Sequence, residues 1–120
     1  LISEKGCADP STEYSLELTD GLLPLDTHTF DKDALIIENE QIHKVTLYTK
    51  EKKAYLSLHF HAPVVGLWSP PAKNAPFVCI EPWYGRCDAD DFDGTLEERA
   101  YENAVEPEQT FEASYSIRYL

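Results

Sequence analysis

Apolar and polar side chains alternate along several short segments of the chain, with the period of two that is typical of β-strands. The alternation is clearest in residues 111–119, where every second residue is apolar or aromatic and the residues between them are polar. The charged residues 50–53 predict the turn of a hairpin between two neighbouring segments. The predicted strands are residues 14–19, 34–37, 45–49, 54–60, 64–68, 77–80 and 111–119.

Helical periodicity is nearly absent, and residues 96–101 predict no more than one helical turn. Short strands separated by Gly, Pro and Asp turns, including Asp20-Gly21, favour an all-β fold of antiparallel strands. A chain of 120 residues is long enough for one small domain with a modest core. Residues 86–110 form a long, acidic and irregular stretch, and loops of that length usually carry function or move.

The charge balance limits the partners that the chain can have. With 22 acidic and 10 basic residues and a net charge of -12, the sequence argues against nucleic acid and anionic membranes as partners. No apolar stretch is long enough to cross a bilayer. The three cysteines form no CxxC pair, which favours a reducing, cytoplasmic location. The chain starts with Leu1 and contains no methionine, so we expect it to be processed or part of a longer protein.

Two clusters resemble metal sites but do not have the required spacing. If Gly94 were the sixth position of a calcium loop, Ala89 and Ala100 would occupy the first and twelfth positions, which need carboxylates. A solvated acidic loop is favoured. His59 and His61 share one face of a predicted strand, but zinc needs further ligands that the sequence does not indicate. We therefore predict no metal and no cofactor.

Glu81 has the most informative surroundings in the sequence. It follows the apolar residues 77–80 and precedes Pro82, Trp83, Tyr84 and Gly85, so we expect it between a buried strand and a rigid aromatic turn. Such a carboxylate suits a sugar ring and acid–base chemistry. It can equally be a strand-end carboxylate bound by backbone N–H groups, with the aromatic residues in the core. The residues alone leave both interpretations open.

The sequence FVCIEPWYG of residues 77–85 resembles a motif near the C-terminus of the aldose 1-epimerase (galactose mutarotase-like) family, in its LacX-like branch. Further matches follow in order along the chain: FDKDALII at 30–37, GLWS at 66–69, APF at 75–77, GTLEE at 94–98 and EPEQTF at 106–111. The resemblance implies that the chain is part of a galactose mutarotase-like β-supersandwich. It also implies that residues 1–120 are the C-terminal portion of that single domain and that the chain lacks the N-terminal portion.

The resemblance further implies an isomerase of carbohydrate metabolism that interconverts the α and β anomers of a free hexose. Glu81 matches the general base, which takes the proton from the anomeric hydroxyl while a histidine protonates the ring oxygen. Asp33 matches a residue that binds sugar hydroxyls, and Trp83 and Trp68 are candidates to line the sugar site. The family's catalytic histidines lie upstream, so the N-terminal portion of the same protein is the expected partner.

Other functions stay open at this point. The chain can be a non-catalytic carbohydrate-binding or regulatory β-sandwich, a structural β-domain with a protein partner, or a hexose-6-phosphate 1-epimerase. The acidity of the chain argues against a phosphorylated sugar. Arg86-Cys87 departs from the small or apolar pair that the family motif has at these positions. The sequence also leaves a homo-oligomer open.

Overall fold

The computed structural model describes residues 2–3 and 6–120, so residues 1, 4 and 5 of the predicted domain portion lie outside the described part. The described residues form antiparallel strands and a single short 3-10 helix, and the predicted all-β class is confirmed. The elements, in chain order, are β1 (Leu35–Ile37), β2 (Lys44–Tyr48), β3 (Ala54–Phe60), β4 (Val64–Trp68), β5 (Cys79–Trp83), the 3-10 helix (Leu96–Glu98) and β6 (Tyr115–Tyr119).

The strands form two antiparallel sheets of three strands each. The first sheet has the order β1-β4-β5, and the second sheet has the order β2-β3-β6. In the first sheet Gly66 is paired with Ile36 on one side and Glu81 on the other. Residues 61–63 connect β3 to β4, so the chain passes from the second sheet to the first within three residues.

The hydrophobic core joins the inner faces of both sheets. Its buried members are Phe30, Leu35, Leu58, Phe60, Ala62, Val65 and Leu67. Because side chains alternate along a strand, the inward direction of Val65 and Leu67 places Gly66 and Trp68 on the opposite face of the first sheet. The first sheet therefore has a core face and an opposite face, and the opposite face carries Glu81.

Several predicted elements are confirmed. The hairpin of residues 45–49 and 54–60 is present as β2 and β3, and residues 64–68 form β4 as predicted. The Asp20-Gly21 turn is present, because Thr19 and Leu22 exchange backbone hydrogen bonds of 2.8 and 3.0 Å. Residues 96–98 form the single helical turn, and the rest of residues 86–110 is irregular.

The predicted strand at residues 14–19 is wrong. Apart from the bridge between Thr19 and Leu22, the segment is irregular, and Tyr14 and Leu18 are about half exposed. Alternation of side chains is not enough to form a strand, because the backbone also needs a neighbouring strand as hydrogen-bond partner. Only Leu16 of its apolar residues packs against the core.

Two predicted strand boundaries also need correction. β5 covers Cys79–Trp83 rather than residues 77–80, so Glu81 lies in the middle of a strand and not at its end. The bounds of β5 follow from its pairing, because each of the five residues of β4 pairs with one residue of Cys79–Trp83. Pro82, which has no backbone N–H, is tolerated because β5 lies at the edge of its sheet. β6 begins at Tyr115 rather than at residue 111, since β3 offers partners only from Leu56 to Phe60.

Within the described residues, no helix combines the length and the apolar composition needed to cross a membrane.

Candidate functional site

Glu81 lies half-buried at the centre of β5, on the face of the first sheet that points away from the core. Cys79 and Trp83 lie two residues before and after it, so their side chains share that face. Trp68 is paired with Cys79 across the two strands and lies on the same face. The face therefore gathers one carboxylate, one thiol and two indoles.

The carboxylate of Glu81 and the indole of Trp83 are hydrogen-bonded to each other. Nε1 of Trp83 donates to Oε2 of Glu81 over 3.1 Å, in a partly buried setting. A hydrogen bond to a charged acceptor is stronger than one between neutral groups. The contact therefore restricts the rotation of the carboxylate and gives Trp83 a polar contact with the site.

Gly66 provides the space in which the Trp83 ring lies. A Cβ atom at this position would come within 2.5 Å of Cζ2 of Trp83 and within 2.9 Å of two further ring atoms. Because an indole is rigid, a side chain at residue 66 would displace the whole ring. Sequence reasoning placed Gly66 in a family-like motif but did not assign this role to it.

Cys79 is a neighbour of Glu81 that the sequence analysis did not identify as part of the site. Burial raises the pKa of the Cys79 thiol, and the negative charge of Glu81 and a hydrogen bond to it raise that pKa further. The thiol therefore stays protonated and can donate to the carboxylate. Once residues 79–83 were known to form a strand, their period of two could have indicated that Cys79 and Glu81 lie on the same face.

Asp33 lies outside the sheet, two residues before β1. Its backbone has a positive φ of 71°, and its Oδ1 accepts a hydrogen bond of 2.7 Å from the backbone N–H of Ala34. Its side chain is exposed, and its hydrogen bond is local rather than to Glu81. The pairing of Leu35 with Leu67 puts Asp33 at the end of the sheet where Trp68 lies. The structure thus brings Glu81, Trp83 and Trp68 to one face and leaves Asp33 at its margin.

Tyr84 fixes the C-terminal end of β5. Its hydroxyl donates to the backbone carbonyl of His61, and its own carbonyl accepts a hydrogen bond from Nδ2 of Asn103. The ring of Phe111 lies edge-on to the ring of Tyr84, with 5.4 Å between centroids. These contacts link β5 to the β3–β4 connection and to the irregular residues that follow β5.

Arg86 anchors the acidic stretch to the segment after β1. Its side chain is buried, and its Nε lies 2.9 Å from Oε1 of Glu38 without the alignment of a hydrogen bond. The guanidinium also lies 5.7 Å from the centroid of the Tyr101 ring, a cation–π distance. Arg86, which differs from the small or apolar residue of the family motif, therefore has a structural role: it attaches the acidic stretch to the segment after β1.

Two cavities on the surface of the described residues lie away from Glu81. An open groove of about 940 Å³ runs between residues 9–18 and 35–42, and a smaller one of about 410 Å³ is lined by His43, His59 and His61. Neither cavity contains Glu81. Since Glu81 lies on an open sheet face, its chemistry and not the size of a cavity identifies the candidate site.

The histidines are arranged in other ways. The rings of His43 and His61 lie 5.1 Å apart, and Nε2 of His59 lies 3.1 Å from Oγ of Ser57. His28 forms an exposed ion pair of 2.8 Å with Asp31, which raises its pKa. Across the described residues, no three His, Cys, Asp or Glu side chains are grouped as they would be around a metal ion.

No protein-family model matches the chain, but individual proteins are similar to it. Two LacX proteins of Lactococcus lactis subsp. lactis, one plasmid-encoded and one chromosomal, are each 31% identical over 99 residues, or 82% of this chain and 33% of theirs. The X-ray structure of a galactose mutarotase related enzyme from Lactobacillus acidophilus matches with a TM-score of 0.65 and 38% identity, over 80% of this chain and 33% of that one. The chain thus spans about a third of the length of the curated relatives that it matches.

Proposed function

Since this chain belongs, over the part that it covers, to an aldose 1-epimerase-like, LacX-like family, we propose that Glu81 is the general base of a hexose 1-epimerase. The observation that supports this best is the geometry of Glu81. It is a half-buried carboxylate on an open sheet face, it is held by the indole N–H of Trp83, and Trp68 lies on the same face. Such a face can bind a sugar ring and accept its proton.

The reaction is a balanced proton transfer. The carboxylate of Glu81 takes the proton of the anomeric hydroxyl, a carbonyl forms at C1, and the bond between C1 and the ring oxygen breaks. An acid gives the ring oxygen a proton. Rotation about C1–C2 and closure on the other face reverse these steps and return both protons. The sugar is neither oxidised nor reduced overall, so the reaction needs no redox cofactor.

The acid is proposed to come from the N-terminal portion of the same protein. None of the four histidines forms a hydrogen bond or ion pair with Glu81 within residues 2–3 and 6–120. The greater part of the matched relatives lies outside the region of similarity. In this proposal the two portions together form one site, with a free hexose between them and no nucleic acid or membrane involved.

The remaining predicted residues have supporting roles in this proposal. Trp68 lines the sugar site beside Cys79, and Trp83 presents its free ring face to the sugar. Asp33 is exposed at the margin of the same sheet, where its carboxylate can accept hydrogen bonds from sugar hydroxyls.

Glu81→Gln tests the proposal. The amide keeps the size and the hydrogen bond to Trp83 but cannot take a proton, so we expect mutarotation to fall by about a hundredfold or more. Polarimetry of freshly dissolved α-glucose and α-galactose with the full-length protein measures this rate. Glu112→Gln, which makes the same change at an exposed site, is the matched control. Activity of E81Q close to that of E112Q would remove Glu81 from its assigned role.

A non-catalytic carbohydrate-binding protein is the second candidate, favoured because no histidine is hydrogen-bonded or ion-paired to Glu81 across the described residues. It predicts that a free hexose binds the full-length protein with no change in the rate of mutarotation. Calorimetric titration together with polarimetry distinguishes the two candidates. A hexose 6-phosphate should be titrated in parallel, and the net charge of -12 predicts weaker binding of that ligand.

A further inference from the structure

We propose that Trp83 is a positioning residue for Glu81, and that Gly66 is required for this role because it holds the indole in place. The proposal rests on the proposed function, since it explains how the general base is oriented. It assigns to Trp83 more than the lining of a sugar site, and it gives Gly66 a role in the same site.

The hydrogen bond between Trp83 and Glu81 restrains the carboxylate directly. An indole has one donor and no acceptor, and that donor is directed at Oε2 of Glu81 over 3.1 Å. Glu81 and Trp83 are two residues apart on a strand, so the bond lies along one face of β5 and does not depend on a loop. A strand-borne donor holds its acceptor more firmly than a loop would.

Gly66 determines the position of the Trp83 ring. Glu81 is paired with Gly66 on β4, and the six-membered ring of Trp83 lies where a side chain at residue 66 would be. Contact with the glycine backbone fixes the ring on one side, so the direction of the N–H follows from the position of the ring. Gly66, Glu81 and Trp83 therefore form one unit across two strands.

Positioning of the base and binding of the sugar have different kinetic consequences. The single N–H of Trp83 is already used by the carboxylate, and one ring face is against Gly66. A residue that only lines the sugar site affects substrate binding, so its loss raises KM. A residue that orients the base affects the step in which the proton moves, so its loss lowers kcat.

The hydrogen bond can be measured without any activity. Full-length protein labelled with ¹⁵N-tryptophan gives one indole N–H signal per tryptophan, and the signal lost in Trp83→Phe belongs to Trp83. We expect this signal to move upfield in Gly66→Ala and Glu81→Gln, because the bond to a charged carboxylate is broken or weakened. Gly85→Ala is the matched control, since a Cβ there meets its nearest atom at 3.9 Å.

Kinetics test the consequence of that bond. We expect W83F to lower kcat about ten- to a hundredfold with KM changed less than about twofold, the size expected for one hydrogen bond to a charged group. Gly66→Ala should reproduce the loss in kcat, and the double variant should lose no more than either single variant.

The two measurements separate this proposal from the proposed function. A Trp83 signal that does not change in E81Q and G66A overturns the positioning role, whether or not the protein is an epimerase. A rise in KM with normal kcat in W83F also overturns it and leaves Trp83 as a sugar-lining residue. If the signal moves but wild-type protein has no epimerase activity, the hydrogen bond stands and the proposed function fails.

Discussion

At the scale of single residues, Cys79 and Glu81 are the pair whose electrostatics are linked. Burial, the charge of Glu81 and a hydrogen bond to it raise the pKa of the Cys79 thiol. The thiolate is the nucleophilic form of cysteine, so a raised pKa lowers its reactivity at neutral and mildly alkaline pH. Cys79 thus reports on the charge of its neighbour.

Glu81→Gln is therefore expected to make Cys79 react faster with iodoacetamide. Removing the negative charge lowers the thiol pKa, and the fraction of thiolate at a fixed mildly alkaline pH rises. Mass spectrometry of the peptide that contains Cys79 measures the rate, and Cys87 in the same sample is the internal control. An unchanged rate at Cys79 would show that the two side chains are not coupled.

The candidate site was predictable from the sequence only in part. Glu81, Trp83 and Trp68 were predicted from aromatic residues around a carboxylate in a family-like motif, and the structure brings them to one sheet face, while their role in a sugar site stays a prediction. The roles of Gly66 and Cys79 were not, because they depend on which residues β4 and β5 pair with. Register is a tertiary property, and short apolar runs specify it only within a few residues.

At the scale of secondary structure, the central strands β3 and β4 organise the molecule. Each has a partner on both sides, and their apolar positions supply most of the core. Both strands were predicted with their correct bounds, because the apolar segments 54–60 and 64–68 are bounded by turn residues. It failed at residues 14–19, where alternation is present but no strand is available to pair with among the described residues.

Leu58→Ala tests the role of β3 in the core. Leu58 is buried and belongs to the cluster that joins both sheets, so the substitution should leave a cavity and destabilise the protein by about 2–5 kcal/mol. Leu18→Ala removes the same atoms at a site that is 57% exposed and should cost less than about 0.5 kcal/mol. Urea unfolding of the full-length variants measures both changes. Equal effects would mean that the core lies elsewhere.

At the scale of the whole molecule, β6 presents an apolar face with little cover. Tyr115, Ile117 and Tyr119 lie opposite Phe60, Leu58 and Leu56 of β3, yet they are 67%, 52% and 87% exposed. The strand is also an edge of the second sheet, with unpaired backbone groups along its free side. Such a surface favours association with another segment or another molecule.

We therefore expect the 120-residue chain on its own to self-associate. Ile117→Lys puts a charge on the apolar face of β6 and should reduce this association, whereas Ser116→Lys adds the same charge to the opposite face and should have less effect. Size-exclusion chromatography with light scattering measures the mass of each variant. A wild-type chain that is monodisperse and unfolds cooperatively would contradict this expectation.

The distribution of aromatic residues makes the two sheets optically distinguishable. The chain has two tryptophans, and both lie on the Glu81 face of the first sheet. The second sheet carries no tryptophan in its strands but contains Tyr48, Tyr55, Tyr115 and Tyr119. Light absorbed at the red edge of the indole band therefore excites only fluorophores on the Glu81 face, whereas four of the seven tyrosines lie in strands of the second sheet. Tryptophan emission can therefore follow the first sheet on its own, with no added dye.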